Sequence, residues 1–445
     1  MQRLLHTPLA LLLRRILTLY VVLWLCRILF YSYNHVQLGA IGWPEVGALL
    51  RGSLLFDTAS VLYANALFVV LSLLPFEFCC GPRYQKMLFW YYTVVNFVLI
   101  VAANLADAVY FHYTQKRITA DEFLFADNDN SLLLVFKFMG ENWPLLLAAL
   151  ALGVLLVIGF GRRTRCESIL NPGWSYYTLS TVTLCLAAGL SIAGIRGGVT
   201  RATRPITLSN ATLYTPDPGK ANLILSNPFC LLRTIGHSGK VRYRKDFSEE
   251  RLQELFSPEH RPAADSVRNV AADTLRGALR GRNVLIFILE SMSAEHSAHL
   301  RPDLYADRPE QGFTPFLDSL MRSGLTFRRM YANGTRSIQA MPSVLGSIPS
   351  FKTPFVLMPQ ALGRSRQLPA ILAEQGYSTL FFCGSERGSM GFGAYARSAG
   401  VERLVSREDY EKAHGTNDFD GYWGIWDEEF LQFAGEELRT VAQPF

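Results

Sequence analysis

Two hydroxyls in the segment YANGTRSIQAMPS, residues 331–343, are the side chains of this sequence best placed to do chemistry. Asn333 and Gly334 form a dipeptide typical of tight turns, and Thr335 and Ser337 follow it just before a predicted helix. A hydroxyl at a helix N-terminus lies among free backbone N–H groups and at the positive end of the helix dipole, which stabilise an alkoxide or a bound phosphate. The alternative is a hydroxyl that only caps the helix.

A carboxylate closes the apolar run NVLIFILE, residues 283–290. A continuous run of this kind predicts a parallel strand buried on both faces, with Glu290 emerging at its carboxyl end. Ligands of such sheets bind beyond the carboxyl ends of the strands, and residues 384–387 and the segment after Phe327 are predicted to reach the same edge. Glu290 is therefore either a ligand for a hard divalent cation or a solvated acid at the end of a strand.

Helices and strands alternate around these residues. Thr314 is a predicted N-cap and Pro315 the first residue of a helix that closes at Gly324. Further helices are predicted at residues 368–375 and 427–442, and a second buried strand at 378–383. This alternation indicates an α/β domain with a parallel sheet covered by helices on both faces.

The N-terminal part of the chain has a different composition. The whole sequence is 50% hydrophobic and only 18% charged, whereas soluble domains are about 25% charged. Five apolar runs are each about the ~20 residues needed to cross a bilayer as a helix. They cover residues 16–33, 53–76, 87–110, 143–160 and 174–195. The sequence thus predicts a five-helix transmembrane domain (1–195), a connector (196–280) and an α/β domain (281–445).

Loop charge predicts the orientation in the membrane, because basic residues are enriched in cytoplasmic loops. The arginines and lysines cluster before the first span, in the second loop and in the fourth loop: Arg3, Arg14, Arg15, Arg83, Lys86, Arg162, Arg163 and Arg165. The N-terminus is therefore expected in the cytoplasm and everything after residue 195 outside. The net charge of +6 is explained by these loops, and no concentrated basic face suggests a nucleic-acid partner.

Three charged residues lie inside the predicted spans. Arg27, Asp57 and Asp107 all fall in the outer leaflet, so an Arg–Asp cluster beneath the soluble domain is geometrically reasonable. Such a cluster could hold helices together, or it could form a polar floor for a lipid headgroup. Of the seven cysteines, only Cys230 and Cys383 follow the spans, and they are either a disulfide or two unpaired thiols.

The five spans and the motifs behind them resemble the alkaline phosphatase/sulfatase superfamily, and within it the lipoteichoic acid synthase-like phosphoglycerol and phosphoethanolamine transferases. The motifs that carry the resemblance are ILES at 288–291, GFTPFLDSLMRSG at 312–324, YANGTRSIQAMPS at 331–343, FFCGSERGSMG at 381–391 and GYWGIWDEE at 421–429.

The resemblance implies roles for three residues. Glu290 would bind a divalent metal, Mn or Mg and alternatively Zn. Ser337 would be the nucleophile and a second metal ligand, and Thr335 would take its place if the register differs by two residues. It further implies that a phospholipid donates its headgroup, through a covalent intermediate, to a glycan or glycolipid acceptor in the envelope. The protein would then lie in the cytoplasmic membrane of a bacterium, with its soluble domain on the outer side.

One part of the family pattern is not found before Phe445. The resemblance implies an Asp-His pair and further histidines after the last helix, and His414, Asp418 and Asp420 are expected to lie in a loop instead. The domain is therefore expected to be truncated at its C-terminus, either as part of an enzyme or as a non-catalytic lipid-binding or regulatory relative. A hydrolase of the sulfatase or phosphodiesterase type is a third reading, although Ser337 lacks the x-Pro-x-Arg sequence that sulfatases need after it.

Overall fold

The computed structural model describes most of the chain. Its described residues are 6–120, 140–161, 166, 173–199, 205–215, 217–235, 246–255, 277–307, 312–328, 330–363 and 365–445. The predicted basic loop at 162–165 lies outside them.

Five long apolar helices form the N-terminal region, as the sequence predicts, and each is long enough to cross a membrane. The first three begin 5 to 10 residues before their apolar runs, each with a Pro in its first two residues, and the last two begin at the first residue of their runs. The helices are α1 (Pro8–Leu38), α2 (Trp43–Ser72), α3 (Pro82–Thr114), α4 (Trp143–Phe160) and α5 (Trp174–Arg196). A π-helical segment, Phe97–Ala102, interrupts the α-helical pattern of α3.

Two buried ion pairs lie between these helices and the chain that follows them. Arg27 of α1 donates two hydrogen bonds of 2.6 Å to Asp57 of α2, which is the Arg–Asp pairing expected from the sequence. Asp107 of α3 does not join that pair; its carboxylate binds Arg117, just beyond the same helix, and the Ile118 N–H. Both aspartates are completely buried. The pairing compensates charges that would be very costly to bury alone.

The connector packs into the helical region instead of lying along a surface. Its helices α6 (Pro218–Ile224) and α7 (Asn227–Thr234) are preceded by a buried 3₁₀ helix, Leu208–Leu213. Arg27 Nε donates to the Leu223 carbonyl at 2.7 Å, and Arg117 Nη2 donates to the Leu225 carbonyl at 2.6 Å. The arginines of both ion pairs therefore also bind the backbone of the connector. A further short helix, α8, covers Glu249–Leu255.

The soluble region contains the predicted helices and one predicted strand. After α8 come α9 (Pro315–Ser323), α10 (Ser337–Gly346), α11 (Leu368–Ala373), α12 (Phe392–Ser398), α13 (Arg407–His414) and α14 (Asp427–Arg439). Strand β1 (Leu380–Cys383) confirms the predicted strand at 378–383. It pairs in parallel with β2 (Arg403–Ser406), in register Leu380 to Arg403. Strand β2 was not predicted from the sequence.

The predicted buried strand at residues 283–290 is wrong in this structure. Its side chains from Val284 to Leu289 are exposed, and the segment forms no strand among the described residues. A strand requires a hydrogen-bonded neighbour, and within the described part of the chain this segment is held only at its start, by Val284 N–H to Phe445 O and by Phe445 N–H to Asn283 Oδ1.

The cysteine pairing differs from the candidate pair in the sequence. Cys230 and Cys383 are both free thiols, with Cys230 buried, in agreement with the reading of two unpaired cysteines. A disulfide joins Cys80 to Cys166 instead. It connects the two loops that the charge pattern places in the cytoplasm, where disulfides are rare.

Candidate active site

Ser337 is the first residue of α10, as the sequence predicts for a hydroxyl at a helix N-terminus. Its side chain is half-buried, and its hydroxyl forms no hydrogen bond among the described residues. The backbone N–H groups of Ser337 and Ile338 also have no acceptor there, because a helix leaves its first N–H groups unpaired. An anion bound at this point would meet two free donors and the positive end of the helix dipole.

The turn before α10 is held by one side chain of the helix. Gln339 Oε1 accepts the N–H groups of Thr335 at 2.9 Å and Arg336 at 3.2 Å. Gly334 is required there, since a Cβ at this position would lie 2.5 Å from Gln339 Oε1 and 2.5 Å from Ser350 Oγ. Thr335 itself is exposed. The two candidate hydroxyls thus lie in one well-defined turn, and only Ser337 lies within the helix.

Apolar packing fixes α10 against the rest of the domain. Ile338 and Met341 are buried in one cluster with Val356 and Tyr395. Tyr395 lies on α12, and its hydroxyl donates a 2.9 Å hydrogen bond to Gln367. The helix that carries Ser337 is therefore packed against the helix that follows strand β1 and its loop.

Glu290, the predicted metal ligand, is exposed. Its only hydrogen bond among the described residues comes from the neighbouring Ser291 hydroxyl, at 3.3 Å. No hydrogen bond or ion pair in that part of the chain joins Glu290 to Ser337 or Thr335. The described residues also contain no group of three or more His, Cys, Asp or Glu side chains that could hold a metal. Sulfatase-superfamily enzymes generally use a metal ion, but the donor set described here does not fit one, because catalytic sites usually offer three protein ligands.

The loop after β1, residues 384–391, lies at the carboxyl end of the parallel pair, as the sequence analysis expected for residues 384–387. Arg387 donates to Asp409 at 2.7 Å and to Ser406 Oγ at 3.3 Å, which ties the loop to the end of β2. Burial alone would raise the pKa of Asp409, but the hydrogen bonds from Arg387 and Ser406 outweigh it and lower that pKa below its usual value. Glu386 pairs with Arg407 at 3.0 Å.

His414, Asp418 and Asp420 each have structural contacts. The expectation that all three lie in a loop is wrong for His414, which is the last residue of α13. His414 stacks on Tyr410, whose hydroxyl donates to Asp418 at 2.6 Å. That hydrogen bond, with burial, raises the pKa of Tyr410 to about 12. Asp420 Oδ1 accepts the N–H groups of Tyr422, Trp423 and Gly424 and so shapes the turn of the GYWG segment.

A cavity of about 670 Å³ lies between the sheet edge and the membrane helices. Its walls come from α2, the connector and the loop after β1, and its polar lining includes Arg51, Asn210, Tyr214, Glu386, Arg387 and Glu408. Sequence analysis missed Arg51 because its apolar run begins only at residue 53. The sequence signal for it was the start of α2, where Glu45 follows Gly42 by three residues. The Gly42 N–H donates to Glu45 at 2.8 Å, and this capping contact starts the helix before Arg51.

Two comparisons bear on the family of the soluble domain. No solved structure matches this chain. A family model described as Sulfatase matches residues 282–445. The chain therefore carries, after its five long apolar helices, a domain of the alkaline phosphatase/sulfatase superfamily.

Proposed function

We propose that this protein is a membrane-anchored transferase that moves a phosphoglycerol or phosphoethanolamine headgroup from a phospholipid to a glycan or glycolipid hydroxyl of the envelope. The observation that carries this proposal is the position of Ser337 at the start of α10, where its own N–H group and that of Ile338 have no acceptor among the described residues. A sulfatase-type domain that follows five apolar helices supports a substrate for that hydroxyl that lies in the membrane.

The proposed reaction has two displacements at phosphorus. In the first, Ser337 Oγ forms a bond to the phosphorus, the bond to the diacylglycerol oxygen breaks, and diacylglycerol leaves with the hydroxyl proton. In the second, the acceptor oxygen forms the new bond, the Oγ–P bond breaks, and the acceptor proton returns to Ser337. The N–H groups of Ser337 and Ile338 would hold a phosphoryl oxygen during both steps. No step is derived through a metal, because the described residues do not form a site for one.

A second candidate function is a non-catalytic lipid-binding or regulatory protein of the same fold. The observation that favours it is the lack of a three-ligand metal group among the described residues. A hydrolase, in which water takes the place of the acceptor, would use the same Ser337 chemistry.

The test is headgroup turnover by the full chain in nanodiscs that contain labelled phospholipid, with and without an acceptor glycolipid. Diacylglycerol release and labelled acceptor are both measured. Ser337→Ala should lower both by orders of magnitude, while Ser319→Ala, an exposed helix serine of α9, should leave both unchanged. No turnover by the unmodified protein would favour the non-catalytic reading, and release without acceptor labelling would favour the hydrolase.

The side of the membrane is part of the proposal. The basic loops predict that Cys80 and Cys166 face the cytoplasm, so both thiols should be reduced in growing cells although they form a disulfide in this structure. Thiol labelling of intact cells with a membrane-impermeant reagent should therefore miss Cys80, and labelling of permeabilised cells should reach it. A Cys80–Cys166 disulfide recovered from unstressed cells would contradict this orientation.

A further inference from the structure

The cavity between α2 and the soluble domain lies at the level where lipid headgroups begin. Helix α5 has 23 residues, and at ~1.5 Å per residue it spans the ~30 Å hydrocarbon core completely. Directly after its end, Gly197 lies against Leu55 of α2, where an added Cβ would meet the Leu55 side chain at 3.6 Å. Leu55 and Gly197 both line the cavity. The length of α5 therefore predicts that this end of the cavity lies at the edge of the hydrocarbon.

Arg51 lies one helical turn beyond Leu55, about 6 Å further from the hydrocarbon core. Close packing shapes the wall beside it: the ring of Tyr214 lies so near Gly52 that an added Cβ would meet it at 2.8 Å. The opposite wall is the loop from Glu386 to Ser389 at the carboxyl end of β1. The cavity thus runs from the hydrocarbon edge to the sheet edge, and its volume is typical of small-ligand sites.

Among the described residues, four charged side chains line the cavity, and two of them are neutralised within the soluble domain. Glu386 pairs with Arg407, and Arg387 pairs with Asp409. The other two are Arg51 and Glu408, both exposed.

Arg51 forms no hydrogen bond or ion pair among the described residues, and Glu408 accepts only the Arg387 backbone N–H, at 3.1 Å. The cavity therefore offers one cation and one anion that have no side-chain counter-ion in this part of the chain. A ligand with one phosphate and one primary ammonium group complements both. A phosphoglycerol headgroup would bring an uncharged diol to Glu408 and leave its charge unmatched.

We propose that this cavity binds the zwitterionic headgroup of a phosphatidylethanolamine-type lipid, with the phosphate at Arg51 and the ammonium group at Glu408. The inference names the donor for the proposed transfer and rests on that function only for the lipid's role. Its position also suits delivery to Ser337, since the loop that lines the cavity leads from β1 into α12, against which α10 packs.

The test measures binding without turnover. The full chain in dodecyl maltoside is titrated with phosphatidylethanolamine or phosphatidylglycerol, and bound lipid is counted by native mass spectrometry. The unmodified protein should prefer phosphatidylethanolamine about tenfold. Arg51→Gln should weaken binding of both lipids about tenfold, and Arg51→Lys should restore part of it, since one charge-assisted hydrogen bond accounts for such a factor. Glu408→Gln should keep phosphatidylglycerol binding and lose the preference.

Matched controls are Arg282→Gln and Glu436→Gln, both exposed and outside the cavity lining, which should bind like the unmodified protein. Soluble phosphoethanolamine should compete with the lipid, and inorganic phosphate should compete more weakly because it lacks the ammonium group. Equal affinities in Arg51→Gln and the unmodified protein would overturn the proposal. So would a preference that survives Glu408→Gln, or lipid binding that phosphoethanolamine does not displace, because acyl chains would then supply the affinity.

The two proposals fail separately. Ser337→Ala should bind phosphatidylethanolamine normally even though it loses turnover. Binding of this lipid without any headgroup transfer would overturn the proposed transferase function but not the proposed lipid site. Transfer from phosphatidylglycerol by a protein that shows no ethanolamine preference would overturn the cavity site alone.

Discussion

The carboxylates of the five long apolar helices and the carboxylate that closes the apolar run of the soluble domain have opposite surroundings. Asp57 and Asp107 are completely buried, and each is held by an arginine. Glu290 is exposed, and only the Ser291 hydroxyl donates to it among the described residues. The buried carboxylates therefore serve the structure, while Glu290 forms no ion pair among the described residues that would compete with a role in binding or chemistry.

The contrast extends to what each region holds in place. Arg27 and Arg117 each bind an aspartate and also backbone carbonyls of the connector, so the ion pairs fix the chain that leads to the soluble domain. Among the described residues no ion pair holds the segment from Val284 to Leu289, whose side chains are exposed and whose Val284 N–H donates to Phe445 O.

The largest expected effect separates the two kinds of carboxylate. Asp57→Ala or Asp107→Ala leaves a buried arginine without its partner, and the free energy of unfolding should fall by about 3–5 kcal/mol. Glu290→Ala should change it by less than ~0.5 kcal/mol, because the side chain is exposed. Unfolding in detergent, followed by tryptophan fluorescence, measures all three. Equal losses of stability in the three variants would show that Glu290 is structural, which would contradict the difference drawn between it and the buried aspartates.

A smaller loss in the free energy of unfolding is expected when an arginine is replaced by another positively charged residue. Arg117→Lys retains the positive charge but cannot bind the Asp107 carboxylate and the carbonyls of Asn222 and Leu225 together. The loss should be about 1–3 kcal/mol, measured by the same unfolding assay. Arg27→Lys is the matched variant and should cost less, since the Arg27 side chain is 15% exposed and that of Arg117 is 4% exposed. The reverse order would contradict this account of the connector.

Removing an exposed carboxylate that accepts several hydrogen bonds should lower the free energy of unfolding by a smaller amount, which depends on pH. Burial would raise the pKa of Asp420, but the N–H groups of Tyr422, Trp423 and Gly424 outweigh it and lower that pKa below 3.8. Its contribution to stability is thus complete above the ordinary aspartate pKa and is lost as the pH falls through the lower folded value. Asp420→Asn should cost about 1 kcal/mol at pH 7, after allowance for solvent screening, and less in acid. Unfolding midpoints at pH 7 and pH 3 measure this; an equal loss at both would contradict it.

Much of the fold is local enough to be predicted from the sequence. The apolar runs predict α1 to α5, and Thr314 with Pro315 predicts the start of α9, because hydrophobic length and capping depend on neighbouring residues only. Ser337 at the start of α10 follows from the turn residues before it in the same way.

Features that depend on distant partners could not be predicted. Arg117 binds Asp107 and also the carbonyls of Asn222 and Leu225, and nothing near Arg117 in the sequence indicates that the connector folds back against it. The apolar run at 283–290 has strand composition, but a strand needs a hydrogen-bonded neighbour, which it lacks among the described residues. Arg51 and Glu408 are 357 positions apart, so the cavity between them is a product of tertiary structure.

The smallest expected effect is at Thr335, two residues from the proposed nucleophile. Thr335→Ala removes an exposed hydroxyl that forms no hydrogen bond among the described residues, so stability should change by less than ~0.5 kcal/mol and transfer only mildly. Ser337→Thr should retain activity because it keeps the hydroxyl at the helix N-terminus. If Thr335→Ala abolishes transfer and Ser337→Ala does not, the nucleophile is Thr335 and not Ser337.

The most direct test of the account is peptide mass spectrometry of the full chain, quenched during turnover of donor lipid. The proposed mechanism predicts a phospho-headgroup adduct on Ser337, absent from Ser337→Ala and present in Thr335→Ala. An adduct on Thr335 would move the nucleophile within the turn. Continued lipid turnover without an adduct on either residue would contradict the covalent mechanism.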